Sequence, residues 1–288
     1  MTSINDVFTG FKEKLTTLYD PHEVEALTLL SISEITGLSK AYIKAFPEKE
    51  ITDEQSETLN NTLTRLQTGE PIQYIFGHTE FYGLPFKVDP SVLIPRPETE
   101  ELVEWVLNTI GSSRIIINNV LDIGTGSGCI AVTLKKHLPI AKVSAIDISA
   151  EALQIAQQNA ELNKAGVKFI NADILNIHKS EIEIPKSEII ISNPPYVTLH
   201  DKTLMHTNVT DFEPHTALFV PEDDPLIFYK AIADYAINNL SANGFLFLEI
   251  NENLGKETVE LLTDKGFNNI ELRKDMIGRD RMIRGTRI

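Results

Sequence analysis

Two kinds of hydrophobic pattern divide the chain. Up to about residue 78, apolar positions recur at helical spacing. Val24, Leu27 and Leu30 follow Pro21 and His22, and that run ends near Gly37. Thr52 with Gln55 three residues later forms a capping box, which predicts a helix through Leu59, Leu63 and Leu66 that stops near Gly69. From about residue 98 the pattern changes to short apolar runs alternating with amphipathic stretches. The runs at 120–123, 142–148, 167–170, 188–191 and 244–250 predict strands, and 150–164 and 225–240 predict helices between them. Such alternation implies βαβ units, a mostly parallel sheet and helices on both faces. Two further short runs, 270–272 and 281–283, have no helix between them and are expected to close the sheet as an antiparallel pair. Between the two patterns, residues 71–97 are rich in Gly, Pro and aromatics. Within them Phe81-Tyr82-Gly83-Leu84-Pro85-Phe86-Lys87-Val88 suggests a hairpin. The expected division is therefore a helical segment 1–78, a hairpin connector 79–97 and an α/β domain 98–288.

Composition narrows this picture. At 288 residues, with 42% hydrophobic and 23% charged positions, the chain has material for two soluble domains. No apolar run approaches the roughly 20 residues of a membrane helix. The first residues lack a basic region followed by an apolar stretch, so no secretory signal is expected. A single cysteine, Cys129, fits a reducing, cytoplasmic setting. The net charge of −15 opposes a polyanion-gripping surface, because phosphate contacts need a basic footprint. No direct nucleic-acid binding is expected, and a protein or small-molecule substrate is favoured.

Chemistry concentrates in two places. Asp122-Ile123-Gly124-Thr125-Gly126-Ser127-Gly128 lies between a strand and a helix. Glycines there allow a tight turn and close backbone approach to a ligand. Asp147 ends the next strand, roughly 20 residues beyond, where an acid hydrogen-bonds ribose hydroxyls. The two together imply an adenosine-containing ligand. The G-x-G-x-G spacing fits the dinucleotide fingerprint poorly and no Walker lysine follows, which leaves S-adenosylmethionine. Asp122 is a candidate for its amino group. Cys129 is expected to be a small buried residue rather than a reactive thiol.

The second place is Ser192-Asn193-Pro194-Pro195-Tyr196, after the fourth strand. Asn193 supplies a side-chain acceptor, the prolines stiffen the turn and leave the Pro194 carbonyl open, and Tyr196 can stack a flat group. Together they suit an NH2 group held by both hydrogens. That corner alone leaves two substrates open, an amide or the exocyclic amine of a flipped base. A non-catalytic binding module is the remaining alternative, opposed by the intact glycines and Asn193. His78, His200 and His215 have no metal-ligand spacing, and no metal is expected.

The whole chain resembles the HemK/PrmC family of protein-glutamine N5-methyltransferases. Four motifs carry the resemblance: Pro71-Ile72-Gln73-Tyr74-Ile75 with Gly77 and Phe81, residues 92–100 (Val92 to Glu100, with Pro95-Arg96-Pro97), the 122–128 loop and Asn193 to Tyr196. Asp211-Phe212-Glu213-Pro214 with Ala217-Leu218 also matches. The resemblance implies a class I, Rossmann-like methyltransferase with a mostly parallel seven-stranded sheet and a small helical N-terminal domain, whose separate character marks it as the expected substrate-recognition module. It implies methylation of the Gly-Gly-Gln glutamine of peptide chain release factors, hence a part in translation termination; the enzyme is expected to be cytoplasmic and monomeric. Cofactor contacts would be Gly124, Thr125, Gly126, Ser127, Gly128, Asp147, Ile174 and Asn193. Asn193, Pro194, Pro195 and Tyr196 would hold the glutamine, with Asn193, Pro194 and Tyr196 catalytic. Ile174 stands where the family often has an aromatic residue, and the 219–225 stretch lacks the glycines usual there. Arg96, Glu98 and Glu100 are open between charges at a helix start and a role near the cofactor.

Overall fold

The computed structural model describes residues 2–113, 116–179, 184–203 and 205–288. The chain forms two compact units. One holds the residues up to Phe76 together with Thr207–Phe212, and the other holds Gly77–His206 and Glu213–Ile288.

In the first unit, β1 (Thr2–Ser3) pairs antiparallel with β2 (Glu50–Ile51). The helices are α1 (Ile4–Leu15), α2 (Pro21–Thr36), α3 (Lys40–Ala45), α4 (Asp53–Leu66) and α5 (Ile72–Phe76). Their ends follow from sequence. Ser3 and Asp6 make a capping box on α1. Asp20 accepts from the His22 and Glu23 amides ahead of α2, which ends at Gly37 in the left-handed region. Thr52 and Gln55 cap α4 reciprocally, as their spacing predicts. The apolar faces bury Ile4, Phe11, Leu15, Ile32, Ile43, Leu59 and Leu66 against one another.

The second unit begins with the hairpin β3 (His78–Phe81) and β4 (Leu84–Lys87) and the long helix α6 (Pro97–Ser112). Then come β5 (Asn119–Ile123), α7 (Cys129–His137), β6 (Lys142–Asp147), α8 (Ala150–Leu162), β7 (Val167–Asn171) and a 3-10 turn at Ile174–Lys179. After β8 (Ser187–Ser192) the chain runs through the short helices α9 (Leu199–Lys202), α10 (Thr207–Phe212, which belongs to the first unit) and α11 (His215–Leu218). It ends with α12 (Ile227–Asn239), β9 (Leu240–Glu249), α13 (Gly255–Asp264), β10 (Asn268–Lys274) and β11 (Asp280–Thr286). Among the described residues, the large sheet has seven strands in the order β10-β11-β9-β8-β5-β6-β7. β5 to β9 pair in parallel and β11 runs antiparallel to both its neighbours. The expected Rossmann-like architecture, including the terminal antiparallel hairpin, is what forms.

Alternate residues of the central strands serve opposite cores, because successive side chains of a strand point to opposite faces. Val120, Ile189, Ile191 and Phe247 pack with Leu102, Val106 and Ile130 of α6 and α7. Leu121, Ile123, Ile190, Leu246 and Leu248 pack with Tyr229, Ile232 and Ala236 of α12. Strands covered on both faces must be apolar nearly throughout, which is why they are conspicuous in the sequence. One consequence positions the site. The chain continues from β5 to β6 on one side and places β8 on the other, so the sheet order reverses beside β5 and a crevice opens beyond the strand ends.

Candidate active site

That crevice is a cavity of about 360 Å³. Its lining comes from the loops after β5, β6, β7 and β8, the segment before α6, and residues around α11. Of the expected site residues it brings together Gly124, Thr125, Gly126, Ser127, Asp147, Ile174, Asn193, Pro194 and Pro195.

The glycine turn is tied to the neighbouring strand. The Gly124 and Thr125 amides both donate to the Ile146 carbonyl, at 2.9 and 3.0 Å. The Gly126 amide donates to Asp147 Oδ2 at 2.8 Å, and the Ser149 amide donates to Oδ1 at 2.9 Å. Asp147 is thereby held in one orientation at the cavity, with unused lone pairs on both oxygens. Burial pushes its carboxyl above the ordinary value, against the pull of these amides. Gly126 has φ +52°, and a Cβ built there meets nothing within 4 Å, so the backbone itself borders open space.

Gly128, expected at the cofactor, does not line the cavity. It caps α7 with φ +80°, and a Cβ there would stand 3.0 Å from Ala156 Cβ. Its small size serves the approach of α8. Asp122 does not line the cavity either. It is fully buried and accepts from Thr125 Oγ1 at 2.6 Å, so it braces the turn from beneath. Burial pushes its carboxyl up to about 7. Cys129 is buried at the cavity wall, with its thiol pushed up to about 12 by burial, which keeps it protonated.

The Asn193 corner starts where β8 lies beside β5. Ser192 Oγ donates to the Ile123 carbonyl at 2.6 Å and joins the two strand ends. Asn193 Nδ2 then donates to Thr99 Oγ1 at 3.1 Å, and Thr99 Oγ1 donates to Glu249 Oε2 at 2.7 Å. Tyr196 does not line the cavity. Its hydroxyl donates to Glu249 Oε1 at 3.0 Å and its ring packs against the α12-side core, so the tyrosine braces the corner from within. Burial and the nearby Glu249 charge raise its hydroxyl well above the ordinary value. Asn251 Nδ2 donates to the Tyr196 carbonyl at 3.0 Å and to Asp201 Oδ2 at 2.8 Å, fixing the loop that follows.

The segment before α6 supplies another wall. Arg96 lines the cavity and pairs with Glu213, whose other oxygen accepts from the Ile94 amide at 3.2 Å. Glu98 and Glu100 sit in the first turn of α6, where the helix dipole favours negative charge, and neither lines the cavity. Glu100 Oε1 accepts from the Tyr82 amide at 2.7 Å and holds the hairpin tip.

Several residues of this region receive no site role from the sequence, Thr99 among them although it lies in the 92–100 motif. Thr99, Ile148, Thr216 and Phe219 line the cavity, and Glu249 stands behind it. Glu249 did leave a signal, as a lone acid inside the apolar run from Phe245 to Ile250. No spacing in the sequence connects Thr99 to Asn193.

The fold defines a methyltransferase of the Rossmann-like class, and the methyltransferase small domain model matches residues 102–211. The PrmC N-terminal domain model matches residues 8–77. The chain is 45% identical to the release factor glutamine methyltransferase of Flavobacterium psychrophilum over 98% of both chains. It is 41% identical to that of Bacteroides thetaiotaomicron, over 99% of this chain and 100% of the relative. It belongs to the release factor glutamine methyltransferase family. Solved structures agree on the fold at low identity. A methyltransferase from Pyrococcus furiosus superposes with a TM-score of 0.51 at 18% identity, over 82% of this chain and 98% of that one. A 16S rRNA methyltransferase of T. thermophilus gives 0.53 at 18% identity, over 73% of this chain and 50% of that one.

Proposed function

We propose that this protein transfers a methyl group from S-adenosylmethionine to the side-chain amide nitrogen (N5) of the glutamine in the Gly-Gly-Gln motif of peptide chain release factors. The observation that carries the reading is that the Gly124–Ser127 turn, Asp147 and the Asn193-Pro194-Pro195 corner share one cavity.

The lining fits the methyl donor. Open space beside Gly126 accepts a ligand against bare backbone. The fixed Asp147 carboxylate is an acceptor suited to ribose hydroxyls, and Ile148 and Ile174 offer apolar contact to a flat base. Gly124 to Ser127, Asp147, Ile174 and Asn193 would hold it. Gly128 would act through the α7 start. Bound S-adenosylmethionine supplies an electrophilic methyl group on a sulfonium centre.

The protein's part is positioning. An amide nitrogen is a weak nucleophile because its lone pair is delocalised. Asn193 Oδ1 accepts one hydrogen of the glutamine NH2 and the Pro194 carbonyl accepts the other. That geometry fixes the amide plane and aims the nitrogen, and orientation of this kind is worth on the order of 7–11 kcal/mol in favourable cases. The same acceptors stabilise positive charge as it develops on nitrogen. Pro195 stiffens the turn, and Tyr196 anchors it through Glu249. The helical segment 1–78 acts as the release-factor recognition module, with 79–97 as connector to the catalytic domain 98–288. The enzyme works as a cytoplasmic monomer, without direct nucleic-acid contact. No helix among the described residues is long and apolar enough to cross a membrane.

Incubation of the protein with S-adenosylmethionine and a release factor, followed by mass spectrometry, tests the reading. One added methyl on the Gly-Gly-Gln glutamine is expected. No methyl there, with transfer to DNA or RNA instead, would refute it.

A further inference from the structure

Asn193 has a side-chain amide with two unlike edges, and only one can serve as an acceptor at the cavity. A chain of buried groups behind it reads as an orienting device. Thr99, on the first turn of α6, and Glu249, the last residue of β9, are 150 positions apart and joined by a 2.7 Å hydrogen bond. Glu249 is 1% exposed. An ionised carboxylate only accepts hydrogen bonds. Its two oxygens receive the Thr99 and Tyr196 hydroxyl protons, at 2.7 and 3.0 Å. Arg281, whose Nη1 lies 3.5 Å from the Tyr196 hydroxyl oxygen, places a positive charge beside it.

Thr99 has one hydroxyl proton, and Glu249 takes it. Only lone pairs on Thr99 Oγ1 remain for Asn193, so the amide must turn its NH2 toward Thr99, as the 3.1 Å contact shows. Oδ1 is left as the free edge. The opposite orientation would set two acceptors against each other at Thr99 and would present N–H donors to a substrate NH2.

We propose that Thr99 and Glu249 are positioning residues, which fix the Asn193 amide with its acceptor edge toward the substrate. The proposal rests on the reading that Asn193 receives the NH2 of a glutamine. In this arrangement neither residue touches the reacting atoms, and both act through Asn193.

Kinetics with a release factor, calorimetry of S-adenosylmethionine binding, and NMR of 15N-labelled asparagine side chains test it together. Thr99→Val keeps the volume and removes the hydroxyl. It should lower kcat about 10- to 100-fold, the effect of one misdirected hydrogen bond. KM for the release factor and Kd for the cofactor should stay within about threefold. Thr99→Ser, which retains the hydroxyl, should keep kcat within about threefold of the unmodified protein. Glu249→Gln should resemble Thr99→Val, because its NH2 can donate to Thr99 and free the threonine proton to face Asn193. An unchanged kcat in Thr99→Val, or Thr99→Ser as impaired as Thr99→Val, overturns the proposal. Should Thr99→Val fail to fold, Glu249→Gln with unchanged kcat overturns it and a lowered kcat supports it. The Asn193 side-chain amide resonances, identified by their loss in Asn193→Ala, should shift and exchange faster in Thr99→Val. Unchanged resonances overturn the proposal even if no release factor is methylated, an outcome that would count against the functional reading instead.

Discussion

Arg96 and Glu213, 117 positions apart, form an ion pair whose carboxylate is buried while the guanidinium stays about one-third exposed (side-chain exposures of 1% and 32%). The pair joins the Pro95-Arg96-Pro97 segment to Glu213-Pro214, and Arg96, Pro95 and Pro214 all line the cavity. The asymmetry of burial sets the expected cost of breaking it. Arg96→Ala leaves a buried carboxylate whose remaining partner among the described residues is the Ile94 amide, a loss on the order of 1–3 kcal/mol. Glu213→Gln leaves a cation that water can reach and an amide that can still accept from Ile94, so it should cost less. Urea denaturation of both variants checks the order. Equal losses would mean that the buried charge is not what Arg96 serves.

Asn193→Ala removes the proposed acceptor for the substrate amide while leaving the glycine turn and Asp147 in place. Turnover should fall about 10²- to 10³-fold, the range for losing one preorganised hydrogen-bonding group. Cofactor affinity measured by calorimetry should fall only modestly. Abolished cofactor binding with intact turnover at saturation would reverse the assignment.

Two glycines of the same turn should fail in different ways. Gly128→Ala forces φ +80° on an alanine and drives its Cβ to 3.0 Å from Ala156. The conformational cost alone is about 1–2 kcal/mol, and the contact adds to it. Gly126→Ala has φ +52° but open space, so its stability cost is limited to the conformational part. Its methyl group would instead occupy the space offered to a ligand. Thermal melts should rank Gly128→Ala below Gly126→Ala, and cofactor titrations should rank them the other way. The same ranking in both assays would reject the division of labour.

These cases mark what the sequence could reveal. β5, β6, β8 and β9 are legible because strands covered on both faces become largely apolar, β7, at the sheet edge, through Val167, Phe169 and Ile170, and the terminal hairpin because no helical stretch separates β10 from β11. α4 is legible through Thr52 and Gln55. Helix α1 had its signal too, with Ile4, Val7, Phe11 and Leu15 at helical spacing behind Ser3 and Asp6. The β1–β2 pair of two residues per strand is too short to carry a period. At the site, contiguous segments such as Gly124 to Ser127 and Asn193 to Pro195 could be placed from strand–loop–helix order alone. Orientation could not. The sequence pattern offers Tyr196 to a ligand, whereas the structure turns its hydroxyl to Glu249, because a buried acid on β9 needs donors. Contacts such as Thr99–Asn193 and Arg96–Glu213 depend on sheet order and register, which no local spacing encodes.

Asp122 should make stability fall as pH rises from the acid range toward neutrality. Unfolded, its carboxyl ionises near the ordinary value of 3.8, and in the folded protein burial raises it to about 7. Between those values the unfolded chain releases a proton that the folded chain keeps. Folding stability therefore declines with rising pH across that window, by at most about 1.4 kcal/mol per pH unit for this one group, and levels off above it. Asp122→Asn is neutral at all pH values and can still accept from Thr125, so it lacks this slope. Asp147 and Glu249, whose carboxyls burial also raises, remain in both proteins, so the difference between the curves reports Asp122 together with its coupling to Asp147. Urea denaturation at intervals from pH 5 to 8 should show the unmodified protein losing on the order of 2–3 kcal/mol more than Asp122→Asn. The difference should accumulate below about pH 7 and stay constant beyond it. Parallel stability curves would mean that Asp122 is already ionised in the folded protein at pH 5, with its charge compensated by the turn that it supports.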